Sequence, residues 1–93
     1  MSSRHSGLQK EVLALYRRAL RMVRTKPPAT RDKFRLFVRY SFKTQTTTVS
    51  PRQVSTVEHL IRRGRRQLET YESPTVKDCW VSQEMRDWER KDG

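Results

Sequence analysis

Ser6-Gly7-Leu8-Gln9-Lys10-Glu11-Val12-Leu13-Ala14-Leu15-Tyr16-Arg17-Arg18-Ala19-Leu20-Arg21-Met22-Val23-Arg24-Thr25-Lys26-Pro27-Pro28 reads as a single amphipathic helix with both ends marked. Ser6 and Gln9 have the spacing of a capping box, in which each side chain satisfies a backbone N–H of the first turn. Leu8, Val12, Leu15, Tyr16, Ala19, Leu20 and Val23 recur at i, i+4, i+7, i+8, i+11, i+12 and i+15, which is one face of a 3.6-residue period. Pro27-Pro28 closes the run, because proline cannot continue the hydrogen-bond ladder. The helix is predicted over about residues 7–26.

The same pattern repeats twice. A second helix is predicted over about 30–43, with Phe34, Phe37, Val38 and Ser41 on one face. Thr44–Val49 is β-branched and lacks a helical period, so it reads as a loop, with a short strand as the alternative. Ser50-Pro51-Arg52-Gln53 places Ser at an N-cap, Pro at the first helical position and Gln at the third. Val54, Val57, Ile61, Gly64, Leu68 and Tyr71 then follow a 3-4-3-4-3 spacing, which predicts a third helix over 51–71. Ser73-Pro74 ends it. The tail carries Cys79, Trp80, Met85 and Trp88 among charges, with a short extra helix from about Ser82 or a wrap around a partner as its options. The expected architecture is all-α: an antiparallel three-helix bundle over residues 1–71 and a mostly irregular C-terminal tail over 72–93.

With 93 residues and 33% apolar content, the chain has little core to spare. A fold completed by a partner is one consequence; a marginal, self-sufficient bundle is the other. Residues 1–71 hold 17 Lys/Arg against 4 Asp/Glu, net +13, whereas 72–93 hold 4 against 6, net −2. The cationic field therefore belongs to the body and suits anionic partners. Lys10, Arg17, Arg21 and Arg24 make one ridge on the first helix, and Arg31, Arg35, Arg39 and Lys43 another on the second. Like charges four apart destabilise a helix modestly, so something anionic is expected to offset them.

Catalysis finds little support. Cys79 is the sole cysteine and has no histidine near it in sequence; His5 and His59 are isolated. The chain shows no paired carboxylates, phosphate loop or metal-ligand cluster. No disulfide can form within the chain. No stretch is apolar enough to span a membrane, and no secretory signal is expected ahead of the fold. The first acidic residue is Glu11, after Arg4, His5 and Lys10, a basic start compatible with mitochondrial import. A nucleic-acid-binding module is the rival from another class, on the high pI and arginine-rich helices, though no zinc-finger, RNP or GXXG pattern accompanies them.

Leu15-Tyr16-Arg17, midway along a capped N-terminal helix and followed by Phe34 in the second, resembles the motif of the mitochondrial LYR-motif proteins. These are small three-helix adaptors of respiratory-complex and iron–sulfur assembly. Phe37 is the other candidate for the family's downstream phenylalanine. The resemblance covers about residues 6–71. Ile61-Arg62-Arg63-Gly64-Arg65-Arg66-Gln67-Leu68, together with Ser3-Arg4-His5-Ser6, Leu8-Gln9, Val12-Leu13 and Phe34-Arg35, is similar to the branch of that family that serves succinate dehydrogenase.

The resemblance implies a partner, the mitochondrial acyl carrier protein, whose acyl-4′-phosphopantetheine arm can enter the helical bundle; no cofactor of the chain's own and no metal is implied. Tyr16, Arg17, Arg21, Phe34, Arg35, Arg39 and Gly64 would serve carrier and acyl chain. Arg62, Arg63, Arg65 and Arg66 would dock the iron–sulfur subunit of succinate dehydrogenase, and an iron–sulfur cochaperone is a further implied partner. A matrix location follows, as does an accessory subunit of another respiratory complex as the neighbouring reading. The residues also admit plainer roles: a core tyrosine for Tyr16, a helix salt bridge with Glu58 for Arg62, close helix packing for Gly64.

Overall fold

The computed structural model describes residues 3–50 and 52–92, with side chains from residue 7 onward. Four helices follow one another: α1 Ser3–Arg24, α2 Pro28–Thr48, α3 Val54–Tyr71 and α4 Gln83–Asp92. No strand occurs among the described residues.

α1 begins earlier than the Ser6 start read from sequence, since nothing between Ser3 and Gly7 interrupts the ladder; the side chain of Ser6 lies outside the described residues. It ends at Arg24, two residues short of the expected Lys26. Thr25 N and Lys26 N bond to Met22 O and Val23 O, tightening the last turn, and a residue before proline is disfavoured in the α region. The proline pair that stops α1 also starts α2: Pro27 is the cap and Pro28 the first helical residue, while Thr30 N and Arg31 N bond to Pro27 O.

α2 runs on to Thr48, which corrects the loop expected over Thr44–Val49. Threonine hydroxyls reach back to carbonyls three and four residues earlier, Thr44 to Tyr40 O at 2.8 Å and Thr48 to Thr44 O at 2.9 Å. That back-bonding satisfies the hydroxyls inside a helix that β-branching alone argues against. α3 starts at Val54 rather than 51. Its lead-in keeps half of the expected capping box: Gln53 Oε1 accepts from Ser50 N at 3.0 Å, and Ser50 Oγ accepts from Arg52 N at 3.2 Å. Pro51 lies outside the described residues. Ser82 caps α4, its Oγ accepting from Met85 N at 3.1 Å.

The packing departs from a closed bundle. α2 and α3 each pack on α1, and α4 packs on α2, but the α2 and α3 backbones do not approach each other closely and meet through side chains at the Tyr71 end. The core is α1's Leu15, Ala19, Met22 and Val23 with α2's Phe34 and Val38 and α3's Leu68. Its smallest dimension, 16 Å across the Cα atoms, is about one helix laid over another. The described residues form a layer of helices with an open seam.

The tail is tied down rather than loose. Lys26, 3% exposed, donates to Ser73 O at 3.2 Å and Val76 O at 2.6 Å and lies over the Phe34 ring. Burial lowers the pKa of its ammonium. Arg18 binds both Glu72 oxygens, at 2.7 and 2.8 Å, and Lys33 pairs with Asp78 at 3.1 Å. α4 is the short extra helix offered from about Ser82, and residues 72–82 are irregular but held by these bonds.

Candidate functional site

The seam between α2 and α3 encloses a cavity of about 580 Å³. Its floor is the apolar face of α1, from Leu8 through Leu15 and Ala19 to Met22. α2 supplies Phe37, Val38 and Phe42, and α3 supplies Val57, Ile61 and Leu68. Ser41, Gln45, Arg63 and Gln67 give it a polar rim. Arg63 is the one cation lining it among the described residues. The volume falls within the roughly 300–1,000 Å³ of small-molecule pockets, and the apolar lining suits a hydrocarbon.

Gly64 combines close helix packing with a place on the cavity wall. A Cβ there would stand 3.1 Å from Leu15 Cδ2, so α3 approaches α1 closely at this point. It also lines the cavity. Leu15 is buried, and Tyr16 is half-buried with its ring edge-on to Phe42, centroids 5.0 Å apart. Arg17 is exposed. Around α1, at about 100° per residue, Arg17, Arg21 and Arg24 point roughly opposite to Leu15 and Ala19. The α1 ridge and the cavity thus lie on opposite sides of one helix, and the structure does not bring them together.

Phe34, 1% exposed, does not line the cavity. It sits in the core, edge-on to Tyr71 and under Lys26. Phe37, the other candidate, lines the cavity and also meets Tyr71 edge-on at 5.4 Å. Burial raises the Tyr71 hydroxyl pKa. On α2 the basic ridge is less free than its sequence suggested. Arg31 donates to Lys26 O at 2.9 Å, Arg35 pairs with Asp32 at 2.6 Å, and Arg39 lies over the Trp88 ring of α4.

On α3, Arg62, Arg63, Arg65 and Arg66 are all exposed. The Glu58–Arg62 pair is not formed among the described residues, while Arg65 reaches Glu11 of α1 at 3.7 Å. Arg63 belongs to the cavity rim, so the four arginines split between two surfaces. Sequence reading missed Met22, Phe42, Val49 and Leu60 as lining residues; Met22, Phe42 and Leu60 lie beside apolar faces that were read, whereas Val49 falls beyond the helix end that was expected.

Burial pushes the Cys79 thiol up, away from the reactive thiolate. Among the described residues no three His, Cys, Asp or Glu side chains gather to hold a metal, and no helix is long and apolar enough to cross a membrane.

The family model for Complex 1 protein (LYR family) matches residues 10–70. The chain belongs to the LYR family. Its match spans α1 to α3 and includes Leu15-Tyr16-Arg17, Gly64 and the arginines around it. Among curated proteins, this LYR-family chain is 40% identical over 77 residues to the mitochondrial succinate dehydrogenase assembly factor 1 of Schizosaccharomyces pombe, covering 83% of this chain and 96% of that one. It is 38% identical over 72 residues to succinate dehydrogenase assembly factor 1A of Dictyostelium discoideum, covering 76% and 79%. It is 45% identical over 71 residues to the Bos taurus assembly factor 1, covering 76% and 55%. All three are named as mitochondrial assembly factors, not as enzymes. No solved structure matches the chain.

Proposed function

We propose that this chain is a mitochondrial matrix assembly factor for succinate dehydrogenase. It holds the iron–sulfur subunit during maturation while bound to acyl carrier protein. The observation that carries the reading is an open apolar cavity in a bundle whose outer faces are cationic. A hydrocarbon chain in the seam would supply contacts that α2 and α3 make with each other only near Tyr71. Each buried methylene contributes about 0.8 kcal/mol. Arg63 on the rim can meet the phosphate of the 4′-phosphopantetheine arm, and Arg17, Arg21 and Arg35 offer exposed donors to acidic helices.

The relatives' names supply the enzyme being assembled; the outward arginines of α3 supply a second surface. Arg62 and Arg66 point away from the α1–α3 contact, where planar guanidinium groups can bind carboxylates and carbonyls of a client. On this reading α1 to α3 work as an antiparallel three-helix frame that the acyl chain completes. With no cluster of metal-ligating side chains among the described residues, the chain protects or recruits, and an iron–sulfur cochaperone joins as a further partner.

The test separates the surfaces. Arg62→Glu with Arg66→Glu is expected to lose the iron–sulfur subunit and lower succinate dehydrogenase activity in cells, with carrier protein still bound. Arg17→Glu with Arg21→Glu is expected to lose carrier protein while helix content survives. Full retention of both partners in both variants contradicts the reading.

A further inference from the structure

α4 lies on the outer side of α2, on the flank that carries Leu36, Arg39 and Tyr40. Leu36 is buried yet stands apart from the main core. It points about 200° away from Phe34 and Val38, toward the side that α4 covers. Trp88 is the anchor. Its ring meets Tyr40 edge-on, centroids 5.7 Å apart, and Arg39 lies over the same ring at 5.7 Å. Burial first, and then the nearby Glu84 carboxylate, raises the Tyr40 hydroxyl pKa. This end of the chain also carries the acidic excess, and two further tail carboxylates, Glu72 and Asp78, already hold body cations.

The contact is built to open. α4 has ten residues and none is buried. It packs on α2 and on no other helix. Isolated helices under about 12–15 residues are marginal in water, and elements with few buried contacts open at low free energy. Segment 73–79 is fixed by Lys26 and by Val76 and Cys79 against the core, so release would be confined to α4 and its short lead.

We infer that α4 is an intramolecular competitor for the α2 flank, a removable helix, four of its side chains carboxylates, that an acidic partner helix must displace to reach Arg39. This rests on the carrier-protein reading and adds a regulatory step to it. Binding then requires the open form, so the apparent affinity is reduced by the fraction of molecules that are open.

The experiment uses the full chain and purified acyl carrier protein bearing 4′-phosphopantetheine. The dissociation constant is measured by calorimetry, and amide exchange is followed over residues 83–92. Trp88→Ala removes the anchor; Glu84→Ala removes only an exposed carboxylate near Tyr40, and serves should the first variant fold poorly. The expected result is binding roughly three- to tenfold tighter for Trp88→Ala, a smaller gain for Glu84→Ala, and faster exchange of α4 amides in the wild type when carrier protein binds. Equal or weaker binding by both variants overturns the competitor while leaving the carrier reading in place. No binding by the wild type or either variant overturns both.

Discussion

Gly64→Ala tests the open seam through a contest between two calculable effects. Glycine inside a helix costs about 1 kcal/mol relative to alanine, so the substitution gains that much in α3. Against it stands a Cβ at 3.1 Å from Leu15 Cδ2, where carbon contacts settle at about 3.5–4.0 Å. Leu15 must withdraw by roughly 0.5 Å. The atom in the way is the tip of a side chain that itself lines the cavity, so it has space to withdraw into, and the cost should be a few tenths of a kcal/mol. The net is a stabilisation of about 0.5–1 kcal/mol, or roughly 3–6 °C in melting temperature for a domain of this size. Urea denaturation should show a higher midpoint at unchanged slope. A loss of about 1 kcal/mol or more would mean that Leu15 is pinned and that the seam is not open beside it.

Phe34→Ala should cost about 3–5 kcal/mol and leave the chain largely unfolded by circular dichroism, because Phe34 is fully buried and carries the Tyr71 and Lys26 contacts; a mild effect confined to carrier binding would contradict its core position. Ser41→Phe places a ring in the seam from the rim, so a fluorescent long-chain acyl probe should no longer bind while unfolding free energy stays within about 1 kcal/mol. Acid should loosen the tail: the Arg18 guanidinium holds the Glu72 carboxyl below its ordinary 4.5, and Lys33 holds that of Asp78 below 3.8. A carboxylate depressed in the folded state contributes stability above its unfolded pKa and loses it as pH falls through the folded value. Unfolding free energy should therefore decline below pH 4.5, and Glu72→Gln should flatten that decline.

The three main helices were legible because each carries a 3.6-residue apolar face. Leu8 to Val23 and Val54 to Tyr71 emerge as the buried or half-buried sides of α1 and α3. The last turn of α2 was not legible, since threonine lowers helix propensity while its back-bonding to carbonyls depends on the helix already being there. Ser82 was readable as a start and Asp92 was not readable as an end. The cavity was beyond periodicity altogether: a stripe says which residues leave water, not whether two stripes meet. Phe34 and Phe37 are both apolar positions on α2, and only packing sends one to the core and the other to the seam. Lys26 shows the opposite failure, a charge at a helix end that is buried because two tail carbonyls, distant in sequence, reach its ammonium.

In the proposed function a hydrocarbon chain borne by carrier protein fills the seam between α2 and α3. Native mass spectrometry of the chain purified with its partners from mitochondria tests it most directly. The account predicts a complex containing acyl carrier protein whose 4′-phosphopantetheine arm is loaded with a long acyl chain, and the same preparation of Ser41→Phe should lack it. A chain that emerges without carrier protein, or with carrier protein whose arm is bare, would contradict it.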